Sequence, residues 1–284
     1  MVTTRPLGRS GADIAVIGQG TWEMPTRGRR VDEGVAALVL GVELGLTHVD
    51  TAEMYGDGAV ETMVARAIAG RRQRVFLASK VLPVNASYAG TISACERSLR
   101  RLGTDRLDLY MLHWPGRHPI AETMAAMEHL ADAGKIRFIG VSNFDVEDLA
   151  AARRALTRHR IVATQVLYHL GDRGMEHRVL PYCAKAGITV VGYSPFGSGR
   201  FPTPRSRGGR ALAAVAARHG ASPHQVALAF LARDPGVVVI PKAAAREHVR
   251  ENAGAANVRL SEADCAAIDA AFPLPPAGGP LGVL

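Results

Sequence analysis

Four side chains in the first half of the chain are of types that together can act on a carbonyl group: Asp50, Tyr55, Lys80 and His113. A tyrosine phenol has a pKa near ~10 in water; a lysine ammonium beside it favours the phenolate, and a carboxylate keeps that lysine charged and oriented. Such a phenol can protonate an oxyanion near neutral pH, while a neutral imidazole can hydrogen-bond a carbonyl oxygen. Each residue also has an ordinary structural interpretation, as a helix N-cap, a loop aromatic, a surface lysine and a buried histidine.

These residues follow short apolar segments that are typical of buried strands. Asp50, Lys80 and His113 each end one such segment, and Tyr55 comes five residues after Asp50. Eight segments occur, most of them roughly 25 to 32 residues apart, the interval expected when ~250 residues are divided among eight β/α units. The segments cover residues 17–20, 47–50, 75–80, 107–113, 136–143, 161–165, 188–193 and 237–242.

Stretches with helical periodicity separate the strand segments. Helices are expected to begin at Asn143-Phe144-Asp145 and at Ser222-Pro223, and to end at Gly45, Gly134 and Gly187. An Arg/Gly/Pro-rich loop is expected over 197–210, a hairpin over 5–16, and a loosely ordered tail from about 273. The predicted helices cover residues 32–45, 58–70, 90–102, 119–133, 145–158, 175–186, 211–219, 223–233 and, at the end, 261–272.

The alternation of strands and helices predicts an α/β protein, a (β/α)8 TIM barrel with an N-terminal β-hairpin and an extra C-terminal helix, as a single domain over 1–284. A doubly wound sheet is the competing architecture. It requires a G-x-G-x-x-G turn after its first strand, and the G-Q-G-T-W sequence at 18–22 lacks the third glycine. In a barrel the carboxyl ends of the strands meet at one rim, which would bring the four polar residues together.

The charge of the chain requires nucleic acid and acidic membranes to be considered as partners, because the formal net charge is +8. The basic residues, however, occur in short separate clusters (27–30, 71–74, 100–101, 153–154 and 205–210), which favours a solvated surface. Three widely spaced cysteines indicate neither a disulfide framework nor a metal site. No stretch resembles a signal peptide or a membrane span, so we expect a cytosolic protein that binds neither nucleic acid nor membranes.

Six motifs, in this order, resemble the successive signatures of the aldo-keto reductases. They are H-V-D-T-A-E-M-Y-G, L-A-S-K, Y-M-L-H-W, I-G-V-S-N-F, G-Y-S-P-F-G-S-G and V-I-P-K-A-A-A-R-E-H-V-R-E-N, and the resemblance extends from about Leu7 to Phe272. It implies that Tyr55 is the general acid, that Lys80 and Asp50 tune it, and that His113 positions the carbonyl group. The hydride would come from a reduced nicotinamide, and no metal is required.

The resemblance also implies which residues hold the cofactor. Ser142, Asn143 and Gln165 would bind the carboxamide and Tyr193 would stack on the ring, although Asn143 can also be explained as a helix start and Tyr193 as barrel core. The remaining residues implied are those of the rim, the loop over the pyrophosphate and the adenosine end: Thr21, Trp22, Asp50, Ser194, Phe196, Gly197, Ser198, Ile240, Lys242, His248 and Asn252.

The choice of cofactor depends mainly on Lys242. This residue matches the lysine that meets the 2′-phosphate of NADP in the family, and it is one of only four lysines among 34 basic residues. Relatives often have a hydroxyl residue next and an arginine six residues later, whereas this chain has Ala243 and His248. Arg246 or Arg250 are candidates to compensate. We therefore expect NADPH, with NADH as a possible second cofactor.

The predicted substrate pocket is apolar and partly aromatic. Its expected walls are Trp22, Met24, Met54 and Trp114. Only about a dozen residues follow Phe272, so we expect an open site that accepts small aldehydes, 2-oxoaldehydes such as methylglyoxal, and some ketones. Two segments, G-Q-G-T-W-E-M and Q-V-L-Y-H-L-G, are similar to those of small bacterial reductases of reactive aldehydes.

Two other classes of function compete with the reductase. One is a cofactor-binding regulatory subunit with little turnover, like the potassium-channel β subunits of the same fold; the complete set of four residues argues against it. The other is a nucleic-acid-binding module, which lacks a recognised motif and a concentrated basic face. We expect a monomer whose partner is a small carbonyl compound.

Overall fold

Eight parallel strands form the centre of the molecule in the computed structural model, which describes residues 2–284. Each strand pairs with its neighbour in chain order. Their sequences are mainly apolar and their residues mainly buried, as expected of parallel strands covered on both faces. The strands are β3 (Gln19–Gly20), β4 (His48–Asp50), β5 (Phe76–Val81), β6 (Leu107–Leu112), β7 (Ile136–Ser142), β8 (Ile161–Leu167), β9 (Thr189–Tyr193) and β10 (Val237–Ile240).

The sheet closes on itself because its last strand pairs with the segment that contains its first. Parallel bridges join Ile17 to Val239 and Gly20 to Lys242, and the amide of Gly18 donates a hydrogen bond to the carbonyl of Val239 at 2.8 Å. The predicted (β/α)8 barrel is thereby confirmed, and each predicted strand segment overlaps one observed strand.

Ten helices accompany the strands within residues 2–284. Ser222 caps one of them through a complete capping box, as its position predicted. All nine predicted helices are present. The structure adds α9 (Arg246–Gly254), in which only Val249 and Asn252 are buried, so that apolar periodicity gave little signal. The helices are α1 (Arg30–Glu43), α2 (Ala59–Ile68), α3 (Tyr88–Leu102), α4 (Ile120–Asp132), α5 (Val146–Ala155), α6 (Val179–Ala186), α7 (Arg207–His219), α8 (Pro223–Leu231), α9 (Arg246–Gly254) and α10 (Glu262–Ala271).

The N-terminal hairpin closes the floor of the barrel. Strands β1 (Thr4–Pro6) and β2 (Asp13–Ala15) pair antiparallel, as predicted. Leu7 and Ile14 are completely or almost completely buried and pack in the same cluster as the barrel-interior side chains. The polar rim therefore lies at the opposite end, where the loops after the strands begin.

The segment after α10 contains no helix or strand, yet it contacts the body of the protein. The Nε2 atom of His177 lies 2.7 Å from the carbonyl oxygen of Pro275, and Leu281 packs against the core. Within residues 2–284 no helix combines the length and the apolar character needed to cross a bilayer.

Candidate active site

The four residues predicted to act together are brought together at the carboxyl ends of three neighbouring strands. Asp50 is the last residue of β4, Lys80 lies near the end of β5, and His113 directly follows β6, where its amide donates to the carbonyl of Val81. Tyr55 begins a tight turn, Tyr55–Gly58. All four side chains are buried, so their charges and protons interact at short range with little solvent between them.

Lys80 is the centre of this arrangement. Its Nζ atom donates hydrogen bonds to Asp50 Oδ1 at 2.6 Å, to the carbonyl of Thr51 at 3.0 Å and to Tyr55 Oη at 3.2 Å. An ammonium has three donors, and all three are used. The lysine is thus fixed between a carboxylate and a phenol.

The pKa values of this group follow from burial and from the neighbouring charges. Burial acts to lower the pKa of Lys80, but the Asp50 carboxylate and Tyr55 more than compensate and raise it. Burial raises the pKa of Tyr55, and the Lys80 ammonium opposes part of that rise. Burial, reinforced by Lys80, lowers the pKa of His113 to about 2. At neutral pH the site therefore contains a charged lysine, a protonated phenol and a neutral imidazole.

A second group of side chains connects this centre to the neighbouring strands. Gln165 Nε2 donates to Asp50 Oδ2 at 2.8 Å. Asn143, in the left-handed region with a φ of 59°, donates through Nδ2 to the carbonyl of His113 at 3.1 Å and accepts from Tyr193 Oη at 3.0 Å. Helix α5 is capped by Asp145, so Asn143 is not the helix start; it accepts the hydrogen bond that orients the ring of Tyr193.

These groups surround one cavity of about 500 Å³. Of the predicted cofactor and substrate residues, fourteen line it together with Tyr55 and His113. They are Thr21, Trp22, Asp50, Met54, Trp114, Ser142, Asn143, Gln165, Tyr193, Ser194, Phe196, Ser198 and, on the β10 side, Ile240 and Lys242.

The loop after β9 has an unusual backbone. Ser194, Gly197, Ser198 and Gly199 all have positive φ values, of 49°, 72°, 50° and 84°. The amide of Gly197 donates to the carbonyl of Ser194 at 2.8 Å, which makes a tight turn. Left-handed serines are uncommon and cost conformational energy, which is characteristic of segments shaped for a ligand.

Lys242 is exposed and forms no ion pair with any side chain of residues 2–284. It lines a second cavity together with Arg246. Helix α9 begins beside them after Ala245, without a side-chain cap, so its first amides remain available to an anion. Arg250 lines neither cavity.

Some predicted residues lie elsewhere. Met24 is 3% exposed, and its methyl group lies against Gly34 beside the sulphur of Met63; it packs between the first two helices and does not line the cavity. Gly197 is buried in its turn, His248 is exposed on α9, and Asn252 is 3% exposed inside the same helix. None of these three lines either cavity.

The cavity also has lining residues that sequence reasoning missed. Glu23 stands at its rim, and Leu284 reaches it from the C-terminal segment. Gly282 in that segment lies against the Asp172 carboxylate, where a Cβ atom would require the carboxylate to move. Leu284 thus forms part of the cavity wall. The other missed residues are Gly20, Pro195 and Gly199.

Comparison with known proteins identifies the relationship of this chain. The Aldo/keto reductase family model matches residues 16–272. The chain is 46% identical to methylglyoxal reductase YeaE of Escherichia coli, with 92% of each chain covered, and 33% identical to a glyoxal reductase of Bacillus subtilis, with 92% of this chain and 90% of the relative covered.

Solved structures agree. An aldo-keto reductase from Klebsiella pneumoniae, crystallised in complex with NADPH, superimposes with a TM-score of 0.94 at 43% identity, over 100% of both chains. Sequence, fold and site geometry lead to one conclusion: the chain belongs to the aldo/keto reductase family and is an oxidoreductase.

Proposed function

We propose that this protein reduces small aldehydes and 2-oxoaldehydes such as methylglyoxal to alcohols, with NADPH as the reductant. One observation carries the proposal: a buried Asp50–Lys80–Tyr55 chain of hydrogen bonds opens into a cavity beside the neutral imidazole of His113. The similarity to a methylglyoxal reductase and a glyoxal reductase supports the choice of substrate class.

The residues present fit a phosphorylated nicotinamide dinucleotide. A cation without an acidic partner and an uncapped helix start match an anionic phosphate, while the ring of Tyr193 offers an aromatic face. Lys242 and Arg246 would hold the 2′-phosphate, and the loop from Ser194 to Ser198 would cover the pyrophosphate. When bound, the reduced nicotinamide supplies the hydride.

The protein also has groups that suit the carboxamide of such a cofactor. The Oε1 atom of Gln165 accepts no hydrogen bond from residues 2–284, and the Ser142 hydroxyl donates none. An acceptor and a donor therefore remain for an amide. Because Gln165 is tied to Asp50, the same contact would align the cofactor with the proton donor.

In the proposed reaction, the protein itself transfers one proton to the substrate oxygen. The neutral imidazole of His113 orients the carbonyl oxygen by a hydrogen bond, and as that oxygen becomes negative the phenol of Tyr55 gives it a proton. The phenolate left behind lies 3.2 Å from the Lys80 ammonium, whose charge stabilises it. Asp50 keeps Lys80 protonated and in place.

The compartment that fits these features is the cytosol. Cys95 and Cys183 are buried free thiols and Cys265 is a partly buried one, which suits a reducing environment. Methylglyoxal and other reactive aldehydes are small enough for the cavity of about 500 Å³.

The test is an assay of the purified protein with methylglyoxal, glyceraldehyde and 4-nitrobenzaldehyde in turn, following the loss of reduced-cofactor absorbance with NADPH and then with NADH. Turnover with NADPH supports the proposal, and the ratio of the two rates measures cofactor preference. Tight NADPH binding without turnover of any aldehyde would contradict it and favour a regulatory subunit.

A further inference from the structure

Glu53 is a buried carboxylate that takes no part in the proposed proton transfer. It lies between Asp50 and Tyr55 in the chain, is 8% exposed and lines neither cavity. Burying a carboxylate is costly unless its oxygens accept hydrogen bonds or meet a cation. Glu53 has such partners, and they follow Lys80 in the chain.

The side chain of Glu53 is bound to the loop after β5 and to the helix that follows it. Its Oε1 atom accepts hydrogen bonds from the amide of Leu82 at 2.8 Å and from Nδ2 of Asn85 at 2.9 Å. Its Oε2 atom lies 3.5 Å from the guanidinium of Arg97. The amide of Glu53 also donates to the carbonyl of Lys80 at 3.4 Å. Glu53 is therefore bound both at Lys80 and two residues beyond it.

The segment from Ala52 to Tyr55 has few other connections to β5. Within residues 2–284 it is hydrogen-bonded to β5 and the following loop only through Glu53 and through the Tyr55 phenol. Directly after Tyr55 the chain passes through three residues of positive φ, at 56–58. The position of the phenol relative to the Lys80 ammonium therefore depends on how firmly Glu53 is held.

We propose that Glu53 is a positioning residue, which holds the Tyr55 phenol at hydrogen-bonding distance from Lys80 and directed into the cavity. It acts through Tyr55, because it does not line the cavity itself. This inference rests on the proposed reductase function. A displacement of about 1 Å at a catalytic group can lower a rate by about 10²-fold, so loss of these contacts should slow the step in which Tyr55 gives up its proton.

The experiment measures the single-turnover rate of NADPH oxidation by methylglyoxal in H2O and in D2O, the Kd of NADPH and the urea midpoint. The variants are Glu53→Ala, Glu53→Gln and the matched control Glu128→Ala. Glu128 is also a buried glutamate, which accepts hydrogen bonds from the amides of Thr157, Arg158 and His159 and lines neither cavity. The control therefore separates loss of a buried, hydrogen-bonded carboxylate from displacement of Tyr55.

Glu53→Ala is expected to lower the single-turnover rate about 10- to 100-fold, to raise the solvent isotope effect and to change the Kd of NADPH less than about twofold. Glu53→Gln keeps an acceptor oxygen for Leu82 and Asn85 and loses only the ion pair with the partly exposed Arg97, so its rate should stay within about threefold of the wild type. Glu128→Ala should lower the urea midpoint but leave the rate and the isotope effect unchanged.

Asn85→Ala is a milder variant, which carries the test if Glu53→Ala does not fold. It removes one donor to Glu53 and should slow the single turnover about two- to fivefold in the wild type but not in Glu53→Ala, where the contact is already lost.

The role of Glu53 alone would be overturned by unchanged rates in Glu53→Ala and Asn85→Ala. It would also be overturned by a loss in Glu53→Gln or in Glu128→Ala as large as in Glu53→Ala. If the wild type oxidises NADPH with none of the aldehydes, the reductase function fails and this role fails with it.

Discussion

The two ends of the cavity differ in whether their polar and charged groups have partners within the protein. At the inner end, every proton of the Lys80 ammonium has a partner within the protein, and both Asp50 oxygens accept hydrogen bonds. At the outer end, Lys242 has no acidic partner in the described residues, α9 starts without a cap, and the loop after β9 is held in left-handed turns. The charged groups of the inner end are paired within the protein, whereas the outer end has polar groups available for a ligand.

This difference indicates that the inner end stabilises charge during the reaction and the outer end binds the anionic ligand. Groups that must stabilise a charge appearing during a reaction work best when they are held in place and shielded from water before the reaction begins. Groups that bind an anion must exchange water for the ligand, so they remain exposed until it arrives. The predictions below test the division by disturbing first the fixed end and then the open end.

The largest effect is expected from Tyr55→Phe. Loss of the proton donor should lower kcat for aldehyde reduction by about 10²–10⁴-fold, the usual contribution of a positioned general acid. NADPH affinity should change less than about twofold, since the phenol acts on the developing oxyanion. Steady-state kinetics and fluorescence titration with NADPH measure the two quantities. An active Tyr55→Phe enzyme would remove Tyr55 from the mechanism.

A second test breaks the buried ion pair. Lys80→Met leaves the Asp50 carboxylate buried without its cation and should reduce the free energy of unfolding by about 3–5 kcal/mol. Asp50→Asn combined with Lys80→Met removes both charges and should regain most of that stability. Activity should stay lost in both variants. Urea denaturation measures the stability, and a double variant as unstable as Lys80→Met would show that the charge pair is not the cause.

At the open end, Lys242→Ala should separate the two cofactors. Loss of one charge-assisted contact of about 1.5–3 kcal/mol raises the Kd of NADPH roughly 10- to 150-fold. The Kd of NADH, which lacks the 2′-phosphate, should change less than about twofold. Arg246→Ala provides the comparison, with the same direction and a smaller effect. An equal loss for both cofactors would deny Lys242 a role in binding the phosphate.

The inner end was predictable from the sequence, and the outer end only in part. Asp50, Lys80 and His113 end apolar strands, and a closed barrel brings strand ends together whatever the loops do. Helix α9 was missed because it has few buried residues. Its start and the turns after β9 depend on backbone conformation, which residue types indicate weakly.

Met24 and Glu23 are a more local example of a prediction limited by backbone conformation. The sequence placed Met24 in the substrate wall and ignored its neighbour, whereas the turn at 21–24 buries Met24 between helices and leaves Glu23 at the rim. A single left-handed residue decides this outcome. The position of Leu284 in the cavity depends on contacts between distant segments, which local sequence does not contain.

The smallest expected effect concerns the aromatic contacts that hold the loop after β9 in place. Phe201, after the loop, stacks on His224 of α8 with ring centroids 4.0 Å apart, and Phe196 meets the same imidazole edge-on at 5.0 Å. Such pairs contribute about 0.5–1.5 kcal/mol each. His224→Ala should therefore free the loop and speed NADPH dissociation about two- to tenfold, measured by stopped-flow fluorescence. His224→Phe keeps the stack and should restore the slower rate; if it releases NADPH as fast as His224→Ala, stacking is not what holds the loop.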